Sequence, residues 1–338
     1  MTTFNVTFVK VATLFATMIA GGAARAEAPA GEPMDGVSRV AAPVESPEAL
    51  PPAPPASLPW QLRPMATGSL VRVDTAAAAF NDGQGNVDIA LPTVLAASYR
   101  LTARWAPTIR LGFTGNNAPG AALDGTAVAN PLVGVTYARA LGPTQLALFG
   151  ATTIPLGTGG GDAPDLRAAE TNAAAMASRP SDAAMFAVNY LGAIAGADLG
   201  YVGHGFTAQA EMTMVQLVRV RGGEAGGASD AFRTQAAVGL HLGYFLGSHV
   251  SFGSDLHYQR WLSHPTTPSA SPVARITFSA GSDTTTLAIG PRVHFRVGEH
   301  AWVRPGLSFV RGLDARGFGA PLLTGQTTAV QLDVPVTF

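Results

Sequence analysis

The stretch that decides the fold is "TTAVQLDVPVTF" (327–338). Val330, Leu332, Val334, Val336 and Phe338 alternate with Gln331, Asp333, Pro335 and Thr337, the period-two pattern of a strand with one apolar and one polar face. Chain termini ordinarily fray and carry solvated residues. A strand that runs to Phe338 is expected to be paired on both sides, so a sheet should close over it. Pro335 cannot donate to a ladder and predicts a local irregularity.

The same period runs upstream as far as Gly68. Gly, Pro, Asn and Asp divide it into twelve expected strands, at 68–80, 87–101, 107–117, 130–141, 144–156, 187–202, 206–221, 232–246, 249–263, 283–297, 301–313 and 326–338. Alternate connections are tight: "TARWA", "GP", "GHG", "GS" and "GEH". The intervening ones are mostly longer, the longest being 157–186, 222–231, 264–282 and 314–325. Such sorting predicts an antiparallel up-and-down β-barrel of the outer membrane, with short periplasmic turns and long external loops. Faces agree: Phe206, Ala208, Ala210, Met212 and Met214 alternate with Thr207, Gln209, Glu211 and Thr213. A membrane barrel turns the first set to lipid and the second to a polar lumen.

Export fits this reading. Lys10 precedes the apolar run "VATLFATMIAGGAA", and "ARA" (24–26) offers small residues for cleavage, so 1–26 reads as a signal peptide. Removing Lys10 and Arg25 from the 21 basic residues leaves 19 against 22 acids, a net −3 that does not suggest nucleic acid. Cysteine is absent, which excludes a disulfide scaffold or a thiolate metal site. Residues 27–64 are Pro-rich, acidic and almost without aromatics. That composition buries too little apolar surface to fold, and predicts a disordered periplasmic segment ahead of a barrel at 65–338.

The terminal strand resembles the aromatic-ended last strand by which outer-membrane barrels are recognised for assembly, with Val334, Val336 and Phe338 as its outward residues. "NPLVGVTYA" (130–138), "TTIPLGTGGGD" (152–162), "VGLHLGYF" and "GPRVHFRVG" are similar to the outer-membrane family named for the meta-pathway of phenol degradation. That resemblance implies passage of small apolar molecules, with the bilayer, the barrel-assembly machinery and a small solute as partners and no cofactor.

Register arithmetic places candidate lumen groups. The turn at Gly247–Ser248 sets His241 opposite Asp255. The turn at 298–300 sets His294 opposite Arg304, with Arg292 and Arg296 on either side. Glu211, Arg219, Arg221, Arg233, His257 and Asp333 share the polar faces. These charges read either as a constriction that selects solutes or as ion pairs filling a narrow barrel. His241, His257 and His294 differ in depth and lack metal-ligand spacing. "GLSFV" (306–310) lacks the second glycine of a nucleophile elbow, so catalysis is not expected. The insert 157–186 carries the strongest helical signal of the barrel region: Asp165 as N-cap, "LRAAETNAAAMAS", then a stop at Arg179–Pro180. With Gly157–Gly161 as hinge it has the parts of a lid, over the mouth or folded inward, where Asp162, Asp165 and Glu170 would meet Arg219, Arg221 and Arg233. Two rival functions stand beside passage: a non-conducting barrel anchoring the Pro-rich segment, and an embedded hydrolase.

Overall fold

A computed structural model describes residues 56–65, 68–81, 87–117, 125–222, 231–263, 283–298, 301–313 and 327–338. The expected signal peptide and the long connections 264–282 and 314–325 lie outside the described residues. Twelve antiparallel strands form one sheet among the described residues. They are β1 (Leu70–Asn81), β2 (Val87–Ala90 with Thr93–Ser98), β3 (Trp105–Asn117), β4 (Gly125–Val128 with Leu132–Leu141), β5 (Thr144–Thr153) and β6 (Tyr190–Gly203). The chain continues with β7 (Phe206–Arg219), β8 (Phe232–Phe245), β9 (Val250–Trp261), β10 (Asp283–Val293 with Phe295–Val297), β11 (Ala301–Val303 with Gly306–Leu313) and β12 (Thr328–Thr337). Each strand pairs with its neighbours in chain order, and β12 returns to β1 in a ladder from Leu70↔Thr337 to Ala79↔Thr328. The Phe338 N–H extends that seam to the Ser69 carbonyl at 3.0 Å. The sheet is closed, which leaves no unpaired edge to face hydrocarbon.

Local chemistry explains the tight ends. β6 and β7 meet at His204–Gly205, where both residues have positive φ (53° and 77°), the two-residue turn whose twist matches the flanking strands. The expected irregularity at Pro335 falls in its neighbour: β11 is interrupted at Arg304–Pro305, and Arg304 N–H reaches the Pro335 carbonyl at 2.9 Å.

Alternation sorts the faces as expected. Along β8, Val238, Leu240, Leu242 and Tyr244 are exposed while Gln235, Ala237 and His241 are buried. Met212, Leu256, Ile289, Phe309 and Leu332 continue the outward belt, far more apolar surface than a monomer in water exposes. Around the end with the short turns, Tyr99, Trp105, Tyr201, Phe206, Phe295 and Phe338 are exposed, an aromatic girdle at one interface.

The inside is not hollow. The insert between β5 and β6 folds inward as α1 (Leu166–Ser178), a 3₁₀ turn (Pro180–Asp182) and α2 (Ala183–Phe186). Met176, Met185 and Phe186 pack against Leu132, Phe149, Ile194, Val215, Leu217 and Trp261 of the wall. Residues 56–65 enter the lumen from the opposite end, with Trp60, Leu62 and Met65 buried. The expected free segment 27–64 is thereby corrected over its last nine residues. They hold too little apolar surface to fold alone, yet bury what they have inside the barrel.

Candidate functional site: an occupied lumen

At the turn end of the lumen, wall side chains take up the backbone of 56–65 group by group. Asp255 Oδ2 accepts from the N–H groups of Trp60 and Gln61, each at 2.8 Å, while its Oδ1 meets His241 Nδ1 at 2.6 Å. The Trp60 carbonyl accepts from Arg72 Nη2 at 2.8 Å and Gln331 Nε2 at 3.1 Å. Ser57 N–H donates to Thr207 Oγ1 at 2.9 Å, and the Ala56 carbonyl accepts from Arg304 Nη1 at 3.2 Å. Glu211 takes both the N–H of Arg63 (2.7 Å) and its guanidinium (2.8 Å), and Gln209 donates to the Arg63 carbonyl at 2.7 Å. A buried peptide group without partners costs several kcal/mol. Here the wall supplies the partners.

Side chains are seated as closely. The Arg292 guanidinium lies 4.2 Å from the Trp60 ring centroid, and that of Arg63 lies 4.0 Å from the Phe149 ring. Inward glycines make the room. A Cβ on Gly239 would stand 2.9 Å from Leu62, one on Gly243 would land on Ser57, and one on Gly306 would land on the Trp60 ring.

The loop end is filled by the insert, and buried charges fasten it. Arg292 Nη2 donates to Asp333 Oδ2 (2.6 Å), and Arg72 Nε to Asp333 Oδ1 (2.8 Å). Arg72 and Arg179 then share Asp74 at 3.2 and 3.0 Å. Arg179 also holds Asp182 (2.9 Å), which Arg110 reaches at 2.6 Å. Asp74 and Asp333 stand directly opposite in the β1–β12 register, a juxtaposition of like charges that the interposed guanidinium groups, with the Gln331 amide on Asp74, offset. Burial alone would raise the Asp182 carboxyl, but Arg179 and Arg110 outweigh it and hold its pKa well below the usual carboxylate range. Burial likewise opposes charge on Arg179, and Asp74 and Asp182 reverse that and push its pKa up.

The two fillings meet in mid-lumen across two cavities of about 20 Å³ each, one bordered by Arg63 and Pro180–Met185, the other by Trp60, Gln61 and Ser178–Ser181. Each has room for a water molecule or so.

The register that sets His241 opposite Asp255 is present in the β8–β9 ladder. His241 pairs with Asp255, and Glu211, His257, Arg292 and Asp333 are buried in the lumen. His294 is level with Arg304 but hydrogen-bonds Ser251 Oγ at 2.9 Å and stacks on Phe245. Arg296 lies exposed near the end of β10, paired with Trp302 of β11. Arg219 and Arg233 flank the Tyr190 ring at 5.7 and 5.2 Å. Asp165 caps α1 by accepting from Arg167 and Ala168 N–H, and Arg221 donates to the carbonyls of Pro155 and Gly157. Gly157 and Gly161 are tied down by Asn130 and Asn189 at 2.8 and 2.9 Å. Arg63, Arg72, Asp74, Arg110, Arg179 and Asp182 were not foreseen. The inward apolar positions Val215 and Leu217, in line with Thr207 to Thr213, were the available sign that something apolar sits within. Among the described residues no three His, Asp or Glu side chains converge as metal ligands.

Among solved structures, an outer-membrane channel from Pseudomonas putida F1 superposes with a TM-score of 0.51 at 14% identity, covering 82% of this chain and 98% of that one. This chain has the fold of an outer-membrane β-barrel. A NanC porin aligns at 12% identity and a TM-score of 0.46, over 79% of this chain and 98% of its own. No known family profile matches the sequence, and no curated protein does.

Proposed function

We propose that this chain is a gated channel of the bacterial outer membrane, passing small molecules through a lumen that its own 56–65 segment and α1–α2 insert close. The carrying observation is a closed barrel with a lipid-suited belt whose polar lumen is filled by two separate segments. A barrel whose only task is anchorage needs neither a charged inner wall nor glycine seats for a peptide. Export by cleavage of 1–26, engagement of the assembly machinery by Val334, Val336 and Phe338, and a bilayer setting complete the reading. Gating resides in the two fillings, with the insert 157–186 as the external one.

Because the chain has no cysteine, a lock can be installed cleanly. Ser57→Cys with Thr207→Cys joins positions whose N–H and Oγ1 are 2.9 Å apart. The oxidised protein should be silent in planar bilayers and conduct after reduction. Silence in both states, with heat-modifiable folded barrel on gels, would favour the structural anchor.

A further inference from the structure

The turn-end lumen recognises peptide chemistry. We infer that the solute this site takes is an aromatic, amide-bearing molecule of the peptide class, for which residues 56–65 stand in as an internal ligand. This rests on reading the lumen as a passage.

The wall presents a fixed order of complementary groups. Asp255 accepts two adjacent N–H groups, and Arg72 with Gln331 donates to the carbonyl between them. Arg292 covers the flat ring on that residue. Three positions further on, Glu211 takes an N–H together with a guanidinium. A purely apolar solute would take from Asp255 Oδ2 and Glu211 Oε2 the N–H donors they have here, and a buried charged acceptor short of donors costs more than a neutral hydrogen bond returns. The resemblance to channels for apolar molecules therefore does not extend to this half of the lumen. An amide backbone bearing an indole or phenyl ring, with a cation three residues away, satisfies each group.

A segment tethered to its site by a few residues competes at an effective concentration on the order of millimolar, so a free peptide binds measurably only when the tethered copy is weakened. Trp60→Ala with Arg63→Ala in the full-length chain removes the ring and the cation while leaving the wall intact. The probe is a labelled, end-blocked peptide of residues 56–65, followed by fluorescence anisotropy in detergent, with a scrambled peptide of the same composition as control. Saturable binding of the native order is expected, absent for the scrambled one. Adding Asp255→Asn or Glu211→Gln should weaken it by about tenfold or more, the loss of hydrogen bonds to a charged acceptor. Unlabelled peptide should displace the probe, and toluene should not. Equal binding of both peptides, or displacement by toluene, overturns the inference. No binding to a folded barrel also overturns it, while conduction by the reduced cysteine pair would leave the channel reading standing. If the double variant does not fold, Arg63→Ala alone carries the same test.

Discussion

Arg179 ties the inward insert to the barrel wall, and its replacement gives the sharpest test of the proposed gating. It is buried, and its guanidinium binds Asp74 on the barrel wall at 3.0 Å and Asp182 within the insert at 2.9 Å. Breaking a buried pair by removing one partner costs about 3–5 kcal/mol when the other charge is left uncompensated. Here Asp74 keeps Arg72 at 3.2 Å and Asp182 keeps Arg110 at 2.6 Å, so Arg179→Ala should cost about 2 kcal/mol. The insert is the element that loses its fastening, so the cost falls on the closed state and raises the open population about 30-fold. Single-channel recording measures this directly as open probability. Arg179→Lys, which keeps the charge but loses the planar fork, should fall between. A folded Arg179→Ala barrel with unchanged open probability and unchanged protease resistance of the 157–186 insert would refute the latch.

Acid should release the same latch. The folded-state pKa of Asp182 is depressed, so its stabilisation is complete above about pH 4, the ordinary aspartate value, and is lost as pH falls through the lower folded value. Conductance should be flat from about pH 8 to 5 and rise only below about pH 4, and Asp182→Asn should blunt that rise; an increase centred near neutrality would contradict it. Gly243→Val places its branch on Ser57 and should expel the 56–65 segment, seen as rapid maleimide labelling of a Ser57→Cys reporter that is protected when Gly243 is kept. Deleting Phe338 removes an exposed girdle aromatic and the N–H bonded to Ser69. Less heat-modifiable barrel on unboiled gels is expected, and equal yield would deny the closing strand its role in assembly.

The barrel was legible from end to end because its signal is local and repeated. Every spanning strand must present one face to lipid and the other to the lumen, so a period of two is imposed on each separately. Tight turns then propagate register, which is why His241 and Asp255 were placed opposite one another from chain numbers alone and meet at 2.6 Å. Closure by the last strand followed from its alternation and from the cost of an unpaired edge in hydrocarbon.

What fills the barrel was decided only in three dimensions. Residues 56–65 read as free chain because composition asks whether a segment can fold by itself, and this one cannot. Its side chains are instead partnered by residues remote in sequence: Trp60 against Arg292, Leu62 against Gly239, Arg63 against Glu211. No periodicity links such partners. The inward glycines were visible in the sequence but looked like ordinary small residues of a strand. Their meaning lies in the chain that passes over them. Arg179 and Asp182 likewise read as the end of a helix, and become members of a buried ion-pair chain only because the insert turns inward and brings them to Asp74 and Arg110. Alternation determines a wall strand by strand, whereas the contents of the lumen depend on long-range complementarity, which exists only once the wall has closed.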